Sequence, residues 1–289
     1  MSAYNKKKGI FFLLCSALSF SLMNVFARLA GDIPVMQKTF FRNLVSVLVI
    51  AVLLIRKHQK VRFQPGTLRY HFLRSFFGTL GVIGNFYAVD HMLLSDATML
   101  VELSPFFVII FSALLLREKV SVKQWLPVLA AFIGAAFVIK PTAGIFSNAA
   151  ALSAIGTALA AGFAYTMVRK MSVMGEDGSM IVLIFSAFSC LVCLPSVILT
   201  YSPFTPQEFL FLLGAAVCGC CGQLSITAAY RHAPAAEISI FDYSQIIFSA
   251  LFGWLIFGQL AGTWSYLGYV IIIAAAVQVF LADRKKART

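Results

Sequence analysis

Ten apolar runs divide the chain, and each is close to the roughly 20 residues that an α-helix needs to cross a bilayer. They cover residues 9–30, 35–55, 68–89, 95–116, 123–139, 149–169, 179–200, 207–229, 235–258 and 264–281. Strands of a membrane β-barrel alternate between apolar and polar residues over about ten positions, whereas runs such as 44–55 and 270–277 show no alternation. The pattern therefore predicts an all-α integral membrane protein with ten transmembrane helices joined by short loops.

The composition excludes the other common classes of protein. Of the 289 residues, 60% are hydrophobic and 12% are charged, against roughly 45–50% and about 25% in a soluble domain. So little polar surface cannot keep a globule of this size in solution. The net charge of +12 does not indicate nucleic-acid binding, because the basic residues are spread between the apolar runs and form no single patch.

The basic residues instead predict the orientation of the chain. Placing the N-terminus in the cytoplasm puts 18 of the 23 Lys and Arg residues on that side and three (Arg28, Lys38 and Lys140) on the outer side, with Arg42 and Arg74 inside spans. Short loops rich in Lys and Arg stay in the cytoplasm. We therefore expect a multi-pass protein of the cell (cytoplasmic) membrane with both termini inside. The first apolar run reaches Ala30, longer than a signal-peptide core, so we interpret it as the first helix.

The two halves of the chain are related by a duplication. One ungapped offset of 141 residues overlays helices 1, 3, 4 and 5 on helices 6, 8, 9 and 10. Identical residues occupy both places at 28 and 169, 78 and 219, 81 and 222, 88 and 229, and 91 and 232. The halves are residues 1–145 and 146–289, with five helices each. An odd number of helices makes the second half enter the membrane from the opposite side, so the repeats are inverted, as in many secondary transporters.

Two matching segments carry a family resemblance. One runs from Glu102-Leu-Ser-Pro105 to Leu-Leu-Leu-Arg117-Glu118, and its partner runs from Tyr243 to Phe257-Gly258-Gln259. The chain resembles the EamA-type members of the drug/metabolite transporter superfamily, and the resemblance covers nearly all of it. It implies a ten-helix transporter of small metabolites, with amino acids and nucleotide-related compounds among the family's substrates. In that family both helices tend to carry a proline and, thirteen residues later, a glutamate; Pro105 and Glu118 fit, whereas Ile246 and Gln259 depart from the pattern.

Two acids lie deep within predicted spans and need a reason, since a charge there costs roughly 2.5–3.5 kcal/mol on insertion scales. Glu102 lies in helix 4, and Asp242 lies one residue from the equivalent position in helix 9. Ser239, Asp242, Gln245 and Ser249 share one helix face. We expect the two acids to face the space between the repeats and to bind substrate or carry a proton. The alternative is a structural role, paired with Arg42 or hydrogen-bonded between helices.

Other polar and aromatic residues inside spans complete the candidate site. The candidates for substrate binding are Glu102, Asp242, Tyr243, Gln245, Asn24, Arg42, Asn85 and Tyr165. Trp254 is a further aromatic side chain that could line a cavity. Arg28 and its repeat counterpart Arg169 are candidates for gates at the outer and inner mouths of one pathway, although Arg28 could instead extend to the membrane interface beside Asp32.

No pattern in the sequence indicates catalysis or a cofactor. The chain lacks the phosphate-binding, zinc-protease and nucleophile-elbow motifs, and the Cys218, Cys220 and Cys221 cluster lacks a nearby His or acid. We therefore expect no enzyme activity, no metal and no cofactor. The function that fits is secondary active transport, as an exporter or exchanger, of an amino acid or a related zwitterion or cation, with protons as a candidate coupling ion. A channel or a non-transporting scaffold is the alternative. The expected partners are this metabolite and the lipid bilayer, with the chain a monomer or homodimer.

Overall fold

The computed structural model describes residues 5–56, 63–115, 122–139, 148–232 and 238–286. Its α-helices are α1 (Lys6–Leu29), α2 (Val35–Arg56), α3 (Leu68–His91), α4 (Leu94–Val101), α5 (Ser104–Leu115), α6 (Val122–Ile139), α7 (Ala149–Val173), α8 (Gly178–Leu199), α9 (Pro206–His232), α10 (Ser244–Phe257) and α11 (Thr263–Lys286), and a 3-10 turn (Ser239–Tyr243) precedes α10. Glu118 and seven of the basic residues used for orientation lie outside the described residues: Lys57, Lys60, Arg62, Arg117, Lys119, Lys140 and Arg288.

These elements confirm the predicted fold class. α4 and α5 together form the fourth span, and the 3-10 turn and α10 form the ninth, so ten spans lie within a few residues of the predicted ones. No strand occurs in the described part of the chain. Two of the spans are not continuous α-helices, which the apolar runs did not predict: the fourth is interrupted at Glu102 and Leu103, and the ninth begins with the 3-10 turn.

Side-chain caps begin several of the helices. The carboxamide oxygens of Asn5 and Asn148 accept from the backbone N–H groups of Lys8 and Ala151, at 3.0 and 3.1 Å. The Asp177 carboxylate accepts from Ser179 N–H at 2.7 Å. Each cap satisfies an N–H group that the first turn of a helix leaves without a partner.

Within the described ranges, six segments are long and apolar enough to cross a membrane: α1, α2, Leu94–Leu115, α7, α8 and Pro206–Ala229 within α9. Shorter apolar helices cover Leu126–Val138, Phe241–Phe257 and Thr263–Gln278. Large apolar side chains such as Leu48, Ile55, Leu199 and Leu210 are exposed on the outer faces, as expected of helices that face lipid. α3 carries Arg74 and Asn85 within its length, so its polar face needs a partner inside the protein.

Helices pack mainly between the two repeats, and the packing follows the duplication. α1 packs along α9, and its repeat counterpart α7 packs along α3. α1 also contacts α10, whereas α7 contacts α4 and α5. We call α1, α9 and α10 the α1 group, and α3, α4, α5 and α7 the α7 group. Each group therefore takes helices from both repeats.

Polar contacts at the two ends of the bundle show that the repeats are inverted. Arg28, at the end of α1, contacts Met92 and Gln259, and we call this the Arg28 end. At the other end the loop after α7 places Glu176 beside Thr67 and His71 at the start of α3, and we call this the Glu176 end. α1 and its counterpart α7 thus finish at opposite ends.

Candidate functional site

Two interrupted helices meet at the centre of the bundle. Pro105 has no N–H group to bond to the preceding turn, and its ring disfavours helical geometry at the residue before it. The chain accordingly turns at Glu102 and Leu103 between α4 and α5. In the second repeat the 3-10 turn ends at Tyr243, the position equivalent to Glu102, although no proline follows it there. Both candidate acids therefore lie at helix interruptions, a common location for transporter binding sites.

A cavity of ≈ 110 Å³ lies at these interruptions, between the α1 group and the α7 group. A single water needs roughly 10–15 Å³ on this measure, so the space is large enough for a small molecule. α1–α5, α7–α9, the 3-10 turn and α10 contribute to its wall, and α6 and α11 do not. Its lining residues are Phe20, Met23, Asn24, Arg42, Arg74, Gly78, Gly81, Val82, Asn85, Val101, Glu102, Ser104, Thr157, Ala161, Ala164, Tyr165, Phe185, Gln223, Ile226, Asp242 and Gln245.

Most of the lining residues occur in pairs that are related by the 141-residue offset between the repeats. Seven lining pairs are related by it: 20 and 161, 23 and 164, 24 and 165, 82 and 223, 85 and 226, 101 and 242, and 104 and 245. The cavity therefore lies on the pseudo-two-fold axis that relates the repeats. Arg42, Arg74 and Phe185 break this symmetry, since their counterparts are Leu183, Ala215 and Leu44.

The two acids are buried in the cavity wall without ionic partners. Glu102 is 4% exposed and Asp242 is 8% exposed, and they are close enough for their charges to interact. The Oε2 atom of Glu102 has no hydrogen-bond partner among the described residues. Neither acid forms an ion pair with Arg42 or Arg74 within the described ranges, so the alternative that they pair with Arg42 is not what the structure shows. A proton offers the simplest neutralisation of a carboxylate held in this way.

Two arginines occupy another part of the wall. Arg42 on α2 and Arg74 on α3 are each 3% exposed, and their guanidinium carbons lie 5.7 and 4.0 Å from the centroid of the Phe185 ring. Arg42 donates one hydrogen bond, to the Asn43 side chain at 3.0 Å. The Nε atoms of both arginines lack partners among the described residues. At roughly 2.5–3.5 kcal/mol for each buried charge, the pair is costly to retain without a counter-ion.

Tyr165 and two asparagines complete the polar lining. Tyr165 lines the cavity and interacts electrostatically with both acids and both arginines. Asn85 on α3 donates to the Asn24 carboxamide on α1 at 2.9 Å, which links the two helix groups inside the cavity.

Comparison with known proteins follows the same division into halves. Residues 7–140 and residues 148–281 each match the EamA-like transporter family. The chain belongs to this family. It is a multi-pass membrane transporter, as the resemblance implied, and its relatives are named as transporters and not as enzymes.

Relatives of this EamA-like transporter are similar along nearly their whole length. The chain is 30% identical to the pseudopaline exporter CntI of Pseudomonas aeruginosa, over 94% of this chain and 95% of that protein. It is 28% identical to the riboflavin transporter of Vibrio cholerae (97% and 95% covered) and 25% identical to solute carrier family 35 member G1 of Homo sapiens (93% and 78% covered). A crystal structure with 15% identity matches with a TM-score of 0.70, over 97% of this chain and 99% of that chain, which shows the same fold.

The cavity of this EamA-like transporter brings together most of the candidate residues. Glu102, Asp242, Gln245, Asn24, Arg42, Asn85 and Tyr165 line it. Tyr243 does not, and its side chain is buried among the apolar residues of the core. Ser249 is buried and bonds to Ser21 and Thr98, while the side chain of Ser239 lies outside the described part. The suggestion that Trp254 lines a cavity was wrong, because its face of α10 turns outward and leaves the indole 54% exposed.

The two gate candidates lie at opposite ends and outside the cavity. Arg28 is part-buried at the Arg28 end, where it donates to Met92 O at 2.9 Å, and the structure gives it no bond to Asp32. Arg169 is exposed near the end of α7 that leads to Glu176.

Sequence reasoning missed several residues of the site. Arg74, Phe185, Ser104 and Thr157 line the cavity without having been chosen, although Arg74 was visible as a charge inside a span. A further acid, Asp96, is buried in α4 away from the cavity and accepts a hydrogen bond from the Tyr269 hydroxyl. All six cysteines are free, and no cluster of potential metal ligands occurs in the described residues.

Proposed function

We propose that the chain is a secondary active transporter, working as an exporter or exchanger, that moves a small amino acid-like zwitterion or cation across the cytoplasmic membrane by alternating access. The single observation that carries this proposal is the central cavity, which lies on the pseudo-two-fold axis between two helix groups and contains an acid from each group. Inverted repeats allow one site to face either side of the membrane in turn. Relatives named as a pseudopaline exporter and a riboflavin transporter support transport of a small organic molecule.

We further propose that Glu102 and Asp242 couple transport to protons. Glu102 belongs to the α7 group, and Asp242 lies in the turn that leads into α10 of the α1 group. Both carboxylates line the cavity and interact electrostatically, so when charged they repel, and this repulsion opposes closer approach of the groups. A proton or a cationic substrate group removes the repulsion, so occupancy and closure become linked.

Reconstitution in liposomes tests the coupling. Purified protein, with a pH indicator trapped inside the liposomes, is challenged with a library of amino acids and amines with and without a pH gradient. We expect Glu102→Gln and Asp242→Asn to reduce gradient-driven flux at least tenfold. Asp32→Asn is the matched control, because it removes an exposed acid from a loop.

A wild-type rate with unchanged pH dependence in Glu102→Gln would refute the proton-carrier role. The same liposomes distinguish the alternatives. A channel would give flux that does not saturate and a measurable conductance. A scaffold would give no flux with any compound of the library.

A further inference from the structure

The strongest unexplained feature of the cavity is its pair of arginines. Arg42 and Arg74 come from different helices and meet at one aromatic ring, Phe185 on α8. Their like charges are close enough to interact. No described residue gives either of them a counter-ion, so the protein keeps two buried positive charges together without neutralising them.

Two glycines make room for these side chains. Gly78 lies one turn beyond Arg74, and a Cβ atom there would overlap the Nη1 atom of Arg74 and come within 2.9 Å of the Phe185 ring. Gly219 on α9 plays the same part for Arg42, since a Cβ atom would lie 3.0 Å from the Arg42 Nε atom. Gly78 and Gly219 are related by the 141-residue offset, yet the arginines against them are not. The arginines are therefore held in place by shape as well as by the ring.

The arrangement suits an anionic group of a ligand. A ring that packs against a guanidinium restrains its plane, while the N–H groups at its edge stay available for a two-point bond to a carboxylate. Both Nε–H groups lack partners among the described residues. A bound carboxylate would accept hydrogen bonds from these N–H groups and offset one of the two positive charges.

The acids in the same cavity limit which anion fits. Neither arginine has Glu102 or Asp242 among its electrostatic neighbours, whereas Tyr165 interacts with all four. A phosphate group carries close to two negative charges, and the acids of the same cavity repel it more strongly than they repel a carboxylate, which carries one. The cavity thus offers an anion subsite and a separate cation subsite.

We propose that Arg42, Arg74 and Phe185 form a carboxylate-binding subsite, so that the transported metabolite bears a carboxylate in addition to the cationic group that faces Glu102 and Asp242. This inference rests on the proposed function, because it names the substrate class of the same cavity. In this proposal Arg42, Arg74 and Phe185, which break the two-fold symmetry of the cavity, determine which molecule is carried. The lining residues that are paired by the offset serve the movement.

Thermal unfolding of the full chain in detergent tests the subsite directly. The probes are 4-aminobutyrate, its amide 4-aminobutanamide, which lacks the carboxylate, and inorganic phosphate, at matched ionic strength. A ligand of the folded state stabilises it by RT ln(1 + [L]/Kd), so weak binding is detectable at millimolar concentrations. We expect 4-aminobutyrate to raise the unfolding temperature in a saturable way, to do so more strongly than 4-aminobutanamide, and phosphate to have no saturable effect.

Three variants assign this effect to the arginines. Arg74→Lys and Arg42→Lys keep the buried charge but lose the two-point geometry, and each should weaken 4-aminobutyrate binding about tenfold. Gly78→Ala keeps both arginines but displaces the Arg74 side chain, so it should weaken binding of the same ligand to a similar extent. Gly156→Ala is its control, because a Cβ atom at Gly156 on α7 meets nothing within 4 Å. Because these changes conserve charge, at least one folded variant is expected.

Three outcomes would overturn the subsite: no stabilisation of the wild type by 4-aminobutyrate, equal stabilisation by 4-aminobutanamide or phosphate, or unchanged 4-aminobutyrate binding in the folded arginine variants. Failure of the proposed function looks different. Carboxylate binding that depends on the arginines, without flux in liposomes, would leave the subsite standing and refute transport. Flux of a diamine such as putrescine that is unaffected by Arg74→Lys would leave transport standing and refute the subsite.

Discussion

The contacts at the Arg28 end predict how the cavity opens toward that side. Arg28 donates to Met92 O at 2.9 Å, and Leu94 N–H donates to the Gln259 side chain at 3.1 Å. Arg28 lies in α1, and Gln259 follows α10, so both belong to the α1 side. Met92 precedes α4 and Leu94 begins it, so both belong to the α7 side. These two bonds therefore join the groups, and both must break before the groups separate at this end.

The size of the effect follows from these bonds. A hydrogen bond to a charged group contributes roughly 1.5–3 kcal/mol, and a neutral one about 0.5–1.5 kcal/mol. Arg28 is only part-buried, so we take about 2 kcal/mol for its bond to Met92. With tenfold for every 1.4 kcal/mol, Arg28→Ala should favour opening by roughly 30-fold. Gln259→Ala, which loses the neutral bond at about 1 kcal/mol, should favour it by roughly fivefold.

Labelling of a cysteine in the cavity measures this opening. In a cysteine-free background, Val82→Cys places a thiol in the lining, and Asp32→Cys in the exposed loop reports which side of a vesicle carries the Arg28 end. A membrane-impermeant maleimide added on that side should label Val82→Cys faster in Arg28→Ala than in Gln259→Ala, and slowest in the parent. Equal rates in all three proteins, or the reverse order, would refute the assignment of these bonds to a gate.

Two further predictions concern stability. A Cβ atom on Gly268 of α11 would lie 2.5 Å from the Gly134 carbonyl oxygen of α6, so Gly268→Ala should destabilise the protein by about 1–3 kcal/mol. Gly156→Ala, in open space on α7, should instead stabilise it by about 0.5–1 kcal/mol. The two variants should therefore shift the unfolding temperature in opposite directions. At the Glu176 end, burial acts to raise the pKa of Glu176, but hydrogen bonds from Thr67 and Gln64 and the neighbouring His71 hold that pKa below its usual range. The stability that this carboxylate contributes is therefore fully present above the ordinary Glu pKa of about 4.3, and it is lost as the pH falls through the lower pKa of Glu176 in the folded protein. Glu176→Gln should accordingly flatten the acid limb of a plot of unfolding temperature against pH.

The sequence was sufficient for the fold because its signals there are periodic and long. Ten apolar runs and an offset shared by many helices both average over dozens of positions. The first helix interruption was also within reach, since Pro105 follows Glu102 by three residues. The second was harder: Ile246 stands where a proline would be, and the turn at Ser239–Tyr243 forms without that local signal.

The arginine cluster could not be predicted in the same way. Arg42, Arg74 and Phe185 lie on three helices, and the ring is 111 residues from the nearer arginine along the chain. No periodicity links such positions, and the repeat offset gives Leu183, Ala215 and Leu44 in their places. A charge inside a span shows that a partner is needed, but only the tertiary packing of α2, α3 and α8 shows that two such charges meet at one ring.

The packing also separates the sequence repeats from the units that can move. If residues 1–145 and 146–289 rocked as rigid halves, the contacts of α1 with α9 and of α3 with α7 would have to break, and these run along whole helices. Fewer contacts run directly between the groups: α4 packs against α10 and α1 against α3, with the Asn85–Asn24 and Thr98–Ser249 hydrogen bonds and the two bonds at the Arg28 end. Because extended apolar packing is more costly to disrupt than a few polar bonds, movement between the α1 group and the α7 group is the less costly path. The duplication then supplies two similar groups, and each is assembled from both repeats.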